Sequence, residues 1–311
     1  MTRLPGGPRG PIKLIAGVTA VIAALGTTAY AQEVLAEPRP VLDSAPRKVG
    51  LKRAATIKGH VENHAPGDLV TLQRAKPRAE WRKLESRRVD ERGRVQFRVR
   101  DLRSTARYRL AHTDEAGVTR FSADRKIRVR PKLTLKTRPS NLMKGQRITV
   151  RGSLRPAGPG RRVKVQRWRE GAWRTVKRVR IRDGRYRTTL ASGRPGRRSV
   201  RVRFSGDARN TNKQRRSSVR VHRPELATWY GPGFYGNRTA CGQRLRYGTH
   251  GVAHRSLPCG TGVSLLYKGR NIKVRVIDRG PYTSAKYDLT RATADRLNFS
   301  GRNHVGVVRT P

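Results

Sequence analysis

A block of sequence near residue 55 recurs near residue 148, and this duplication constrains the fold more than any other feature of the chain. Ala55-Thr56-Ile57-Lys58-Gly59-His60-Val61, Val70-Thr71-Leu72-Gln73-Arg74 and Trp81-Arg82-Lys83-Leu84 are echoed by Ile148-Thr149-Val150-Arg151-Gly152-Ser153-Leu154, Val163-Lys164-Val165-Gln166-Arg167 and Trp173-Arg174-Thr175-Val176. Matched positions lie 91 to 93 residues apart, down to Gly93 and Gly184, and a repeat of that length is a domain rather than a solenoid turn. Inside each copy apolar and basic residues alternate, as in Val95-Gln96-Phe97-Arg98-Val99 and Val200-Arg201-Val202-Arg203-Phe204. That is the period of strands with one buried face. Turn residues punctuate them at Ala65-Pro66-Gly67-Asp68, Gly158-Pro159-Gly160 and Asp183-Gly184. The pattern predicts two small immunoglobulin-like β-sandwich modules, over 51–130 and 131–222. Trp81 and Trp173, each at the same place in its repeat, are expected to anchor the two cores.

With 311 residues the chain has room for two or three domains. Residues 12–31 form an apolar run preceded by Arg3, Arg9 and Lys13 and closed by Ala29-Tyr30-Ala31. This order reads as a secretory signal cleaved after Ala31; a retained membrane anchor is the alternative, the run being nearly long enough to span a bilayer. Cleavage would leave no stable membrane insertion and a protein that is secreted, in the cell wall or extracellular. Residues 32–50, with several prolines and no periodicity, read as a linker.

The formal net charge is +52. Residues 225–311 hold fourteen Lys and Arg against four Asp and Glu, a net +10, which leaves +42 on the rest. In a cytosolic chain such charge would point to nucleic acid. Export argues against nucleic acid as a partner and for the polyanions outside a membrane, namely phosphorylated wall polymers and peptidoglycan carboxylates. The Arg-rich modules are the expected carriers of that attraction.

The last third differs in character. It contains Ala-Thr-Trp-Tyr-Gly at 227–231, Val-Ala-His-Arg-Ser-Leu-Pro-Cys-Gly-Thr at 252–261 and Val-Ile-Asp-Arg-Gly-Pro-Tyr at 276–282. Each pairs polar side chains able to handle a sugar or a proton with the Gly and Pro that bend strands at loop ends. Residues 262–267 and 271–277 read as a hairpin joined through Lys268-Gly269-Arg270. Asp288-Leu289-Thr290 before Arg291–Leu297 reads as a capped short helix with Asp288 or Thr290 near the N-cap, which gives Asp288 a structural role. Both cysteines of the chain, Cys241 and Cys259, fall here. In an exported chain an isolated pair most simply forms a disulfide; His250 and His254 between them make a Cys2His2 zinc site the alternative, though the close cysteine spacing of such sites is missing. No cofactor is expected.

The three motifs, in this order and spacing, resemble the RlpA-like double-psi β-barrel, the domain of septal lytic transglycosylases and a relative of the expansins. The resemblance covers 225–311 and implies a mostly β chain: two immunoglobulin-like modules, then a six-stranded double-psi β-barrel acting on peptidoglycan glycan strands. It implies that His254 and Asp278 are the paired active-site residues. Asp278 would be the acid/base of a lytic transglycosylase and His254 would orient substrate or tune charge. Trp229, Tyr230 and Tyr282 are candidates to contact sugar. Where many relatives carry Gly-Glu, this chain reads Gly242-Gln243. Gln243 can hydrogen-bond a sugar but cannot ionise, so a non-catalytic, expansin-like glycan binder is the alternative function.

Overall fold

The computed structural model describes residues 36–310, so the signal-like segment 1–31 lies outside the described residues. Chain order in the first module is β1 (Arg39–Ser44), β2 (Lys48–Gly50), β3 (Ala55–Glu62), β4 (Leu69–Ala75), β5 (Trp81–Arg88), β6 (Arg94–Val99), β7 (Ala106–Thr113), β8 (Thr119–Phe121) and β9 (Arg125–Arg130). They form two sheets, β1-β3-β6 and β2-β9-β7-β4-β5, with β8 on β7. Ile57, Val70, Leu72, Phe97, Leu110 and Ile127 fill the space between. Burial alternates along β3, as the repeat pattern requires.

The second module continues with β10 (Lys132–Leu133), β11 (Lys136–Arg138), β12 (Asn141–Met143), β13 (Arg147–Arg155), β14 (Arg162–Arg169), β15 (Ala172–Arg180), β16 (Arg185–Ala191), β17 (Gly196–Phe204) and β18 (Lys213–Tyr230). The repeat is reproduced in the pairing. β13 with β16 answers β3 with β6, and β15-β14-β17-β18 answers β5-β4-β7-β9. The parallel pair β12/β18 answers the parallel pair β2/β9. This two-sheet order is immunoglobulin-like. The duplicated glycine has a packing reason: a Cβ on Gly59 would collide with the Val41 carbonyl and Leu110, and one on Gly152 with the Thr134 carbonyl and Tyr186. In both modules the chain that pairs at the edge lies against the glycine, Gly59 on β3 and Gly152 on β13.

Two expectations are corrected here. Within 32–50, read as linker, residues 39–44 and 48–50 are strands: Pro40 sits on β1 at the sheet edge, where a missing N–H costs no ladder bond. Trp81 and Trp173 are not in the cores. They start or lie near the start of edge strands β5 and β15, half-buried on a sheet face with guanidinium groups over the rings. Arg109 lies 4.3 Å from the Trp81 centroid and Arg201 4.4 Å from that of Trp173. Each arginine is fixed by a repeat-matched glutamine, Arg109 Nε donating to Gln73 and Arg201 Nε to Gln166. The matched placement of the indoles therefore reflects a duplicated Trp-Arg-Gln surface stack.

No linker separates the second module from the C-terminal domain. β18 pairs with β17 over Lys213–Val221, then with β23 (Asn303–Arg309) over Arg223–Ala227 and with β22 (Tyr287–Thr290) over Ala227–Tyr230. β19 (Val252–Ala253), β20 (Gly262–Tyr267), β21 (Arg270–Asp278) and helix α1 (Arg291–Leu297) complete the domain. The strand order β18-β22-β19-β21-β20-β23 returns to β18, so the six strands form a ring. Two of its pairings, β18/β22 and β19/β21, are parallel. The β20/β21 hairpin closes on two residues, Lys268 and Gly269, both at positive φ (43° and 81°), one residue shorter than the pattern suggests. Thr290 is the helix cap and accepts from Thr293 N. Asp288 is not the cap.

Candidate active site

Asp278 ends β21, and His254 follows β19 directly. Because those strands run parallel and adjacent, the His254 amide donates to the Asp278 carbonyl at 3.1 Å. The two residues singled out in the sequence are therefore neighbours across one strand boundary.

Three donors converge on the Asp278 carboxylate. Oδ1 accepts from the amides of Ala240 and Arg279, both at 2.8 Å, and Oδ2 accepts from the Tyr230 hydroxyl at 3.2 Å. Burial and then the Asp278 charge push the Tyr230 phenol well above its ordinary value, so it stays a donor.

His254 is buried, 6% exposed, with its ring edge-on to Tyr287 at 4.8 Å. Its Nδ1 accepts from the amides of Ser256 and Leu257, each at 3.1 Å. The neutral ring therefore carries its proton on Nε2. Burial lowers its pKa, and the charges of Lys286, Arg309, Arg255 and Arg279 lower it further. Neutral His254 holds the following loop in shape, since protonating Nδ1 would cost both amide bonds.

That loop is fastened twice more. Cys241 and Cys259 are joined in a disulfide, which takes both thiols out of the zinc alternative. Two arginines exchange anchors: Arg279 donates to the carbonyls of His254 and Leu257, and Arg255 donates to those of Pro281 and Thr283. The disulfide thus ties the segment that presents the Ala240 amide to the segment that presents His254.

Strand periodicity sorts the remaining candidates. Thr228 and Tyr230 share one face of β18, and Ala227 and Trp229 the other. Trp229 packs against the barrel core with Arg291 4.8 Å from its ring centroid, so it stands on the packing face, away from the donors to the carboxylates. Tyr282, 83% exposed, lies just beyond the Arg279-Gly280-Pro281 bend. Gln243 is exposed, and its carbonyl accepts from Thr239 N in the turn that carries Ala240.

Two participants escape the sequence reading. Phe234, 56% exposed, sits edge-on to Tyr230 with centroids 6.0 Å apart. Asp288 is the second. Ala253 pairs with Asp278 on one side and with Asp288 on the other, so two strands bring two carboxylates to the flanks of β19. The Thr228 hydroxyl donates to Asp288 Oδ1 at 2.8 Å. Burial raises the Asp288 pKa, the Thr228 bond opposes this, and the Asp278 charge adds to the rise. The signal was present in Tyr287-Asp288-Leu289-Thr290, where apolar 287 and 289 flank a polar 288 in strand alternation.

The Asp288 shift has a measurable consequence. A carboxyl raised above its unfolded value binds a proton more readily when folded, so it withdraws stability as pH climbs from the ordinary carboxylate range. Asp288→Asn removes that penalty and leaves an oxygen for Thr228. Thermal unfolding of this variant should lose less midpoint than wild type between about pH 4 and about pH 7; equal losses would show that Asp288 is not perturbed.

A six-stranded ring with two parallel pairings, holding a carboxylate and a neutral histidine at adjoining strand ends, defines a double-psi β-barrel. Residues 225–309 match the family described as lytic transglycolase. Probable endolytic peptidoglycan transglycosylase RlpA of Synechocystis sp. is 46% identical over 77 residues, covering 24% of this chain and 24% of the relative. Endolytic peptidoglycan transglycosylase RlpA of Yersinia pestis is 44% identical over 85 residues, covering 26% and 24%. The chain thus spans about a quarter of the length of these relatives. Among solved structures, a three-immunoglobulin-domain fragment of titin covers 89% of this chain and 90% of its own at 13% identity and TM-score 0.31; the modules are defined by their own strand pairing, not by that overlap.

Proposed function

We propose that the chain is an exported lytic transglycosylase that cleaves peptidoglycan glycan strands, with Asp278 as the acid/base. One observation carries the reading: a carboxylate oriented by three donors beside a buried neutral histidine, in a loop fastened by a disulfide and two arginine anchors. Starting from its protonated form, Asp278 delivers a proton to the glycosidic oxygen as the bond from C1 breaks, leaving the carboxylate that Ala240, Arg279 and Tyr230 hydrogen-bond. The sugar's own 6-hydroxyl then closes on C1 and returns its proton to the same carboxylate, so the step balances without water. Asp288, whose pKa is raised chiefly by burial, supplies a second carboxyl within electrostatic reach of Asp278. His254 acts by positioning its loop and presenting Nε2–H. Tyr282 and Phe234 offer exposed rings for sugar faces, and Tyr230 steers the Asp278 carboxylate.

The relatives' names support glycan cleavage, and the residues at 254 and 278 are the ones matched in the resemblance. Gln243 favours a second reading, an expansin-like binder that holds glycan without cutting it, because an amide cannot shuttle a proton. Incubating the full chain with intact and peptide-free sacculi and analysing products by mass separates the two: 1,6-anhydromuramic ends are expected, and retention on sacculi without such ends would replace the enzyme by the binder.

The sandwiches serve as the wall-side anchor in this reading. Residues 51–222 carry a net +38, which attracts anionic wall polymers rather than nucleic acid, in keeping with a barrel that works on wall glycan.

A further inference from the structure

The two modules are bolted together by the 205–212 loop. Asn210, 1% exposed, donates to the carbonyls of Arg103 and Val129. Its Oδ1 accepts from Arg161 at 2.7 Å, and Arg161 is paired with Asp207 at 2.8 Å. Two backbone bonds complete the junction, Thr105 N to the Arg209 carbonyl and Thr211 N to that of Val129. Beside this junction lies a cleft whose walls come from both modules. Lys52, Arg130, Lys132, Arg155, Lys213 and Arg215 line it, and no carboxylate does. Among the described residues, Arg103, the remaining cation of the lining, is the one that is ion-paired, to Asp101. Leu51, Pro131 and Pro156 supply apolar surface between the charges.

We propose that this inter-module cleft is a binding site for a phosphodiester-linked polyol polymer of the cell wall. This deepens the anchoring role proposed above and rests on it. Charge complementarity carries the choice of an anionic chain: six cations without a carboxylate among them surround one concavity, and guanidinium forks grip phosphate oxygens in pairs. Several contacts along one strand add up only for a ligand whose charges recur, and the bolted junction holds both walls at fixed spacing for it. The lining argues against a single-stranded nucleic acid. Proteins that track single strands stack bases on aromatic side chains, and this cleft contains none. Its prolines and Leu51 suit the CH surface of a polyol instead.

The test uses the full chain and fluorescently labelled poly(glycerol phosphate), with binding read by anisotropy. Lys52→Gln, Arg130→Gln and Arg215→Gln together remove three charges from exposed side chains. Affinity should fall about 100-fold at low salt, and the slope of log affinity against log salt should shrink by about two to three. A control triple, Arg82→Gln, Lys83→Gln and Arg178→Gln, removes equal charge from exposed positions on β5 and β15; it should change affinity by less than about 5-fold if the cleft is the site. Equal losses in the two triples would overturn the proposal in favour of diffuse charge. Tighter, equally cleft-dependent binding of labelled oligo(dT) would overturn it in favour of nucleic acid. Because the readout is polymer binding, it stands or falls independently of whether the barrel cuts glycan.

Discussion

Asp278→Asn is expected to reduce release of 1,6-anhydromuramic ends from sacculi by about 10²-fold or more, with retention on sacculi close to wild type. The amide is the size of the carboxylate. Its oxygen can keep the Ala240 and Arg279 amide bonds, and its nitrogen meets Tyr230, whose hydroxyl then turns to accept. What it lacks is a proton to lend and recover, so the loss should fall on turnover and spare binding. His254→Ala should give a smaller, mixed effect, since the ring acts through the amides of Ser256 and Leu257. If wild type binds every sacculus preparation without releasing anhydro ends, and Asp278→Asn weakens that binding, Asp278 is a glycan contact in a binder.

Reduction of the Cys241–Cys259 bond should have the next largest effect. The bond closes a loop of 18 residues, which in the chain-entropy view stabilises by about 3 kcal/mol. Cys241→Ser with Cys259→Ser should lower the denaturant midpoint of the barrel transition accordingly, and dithiothreitol should do the same to wild type. Activity should fall with it, because the bond links the turn that offers the Ala240 amide to the loop shaped by His254. Non-reducing mass spectrometry should recover the two cysteines in one linked peptide. Free thiols, or midpoints unchanged by reductant, would refute the pinning role.

The repeated elements were legible in the sequence because alternation and turn residues act locally, and each module's pairing follows its own strand order. The hairpin, the short helix and the cysteine pair were legible for the same reason. Elements that depend on a distant partner were not. Residues 39–50 show little alternation of their own; β1 and β2 exist because β3 and β9 offer them edges. Trp81 and Trp173 look like core residues by type, and only the Arg and Gln side chains on neighbouring strands explain their place on a sheet face. At the site, Asp278 and His254 could be picked out from motif and bend. The alternation at 287–290 puts Asp288 on the polar face of a strand, but only the pairing of β19 with both β21 and β22 shows that it flanks the same strand as Asp278. Trp229 and Tyr230, adjacent in sequence, part company by strand alternation alone.

β18 serves as both the last strand of a sandwich and a stave of the barrel, with His222 sealed at the crossing between the Leu142 carbonyl and Ser264. Its 18 residues make a strand of up to about 60 Å with no swivel in it. If the modules grip a wall polymer as proposed, the barrel is held like the arm of a compass, its radius and heading set at the grip. Glycan would then be cut at one offset and one angle from the gripped polymer, and a flexible insert after His222 would blur that pattern without touching the chemistry.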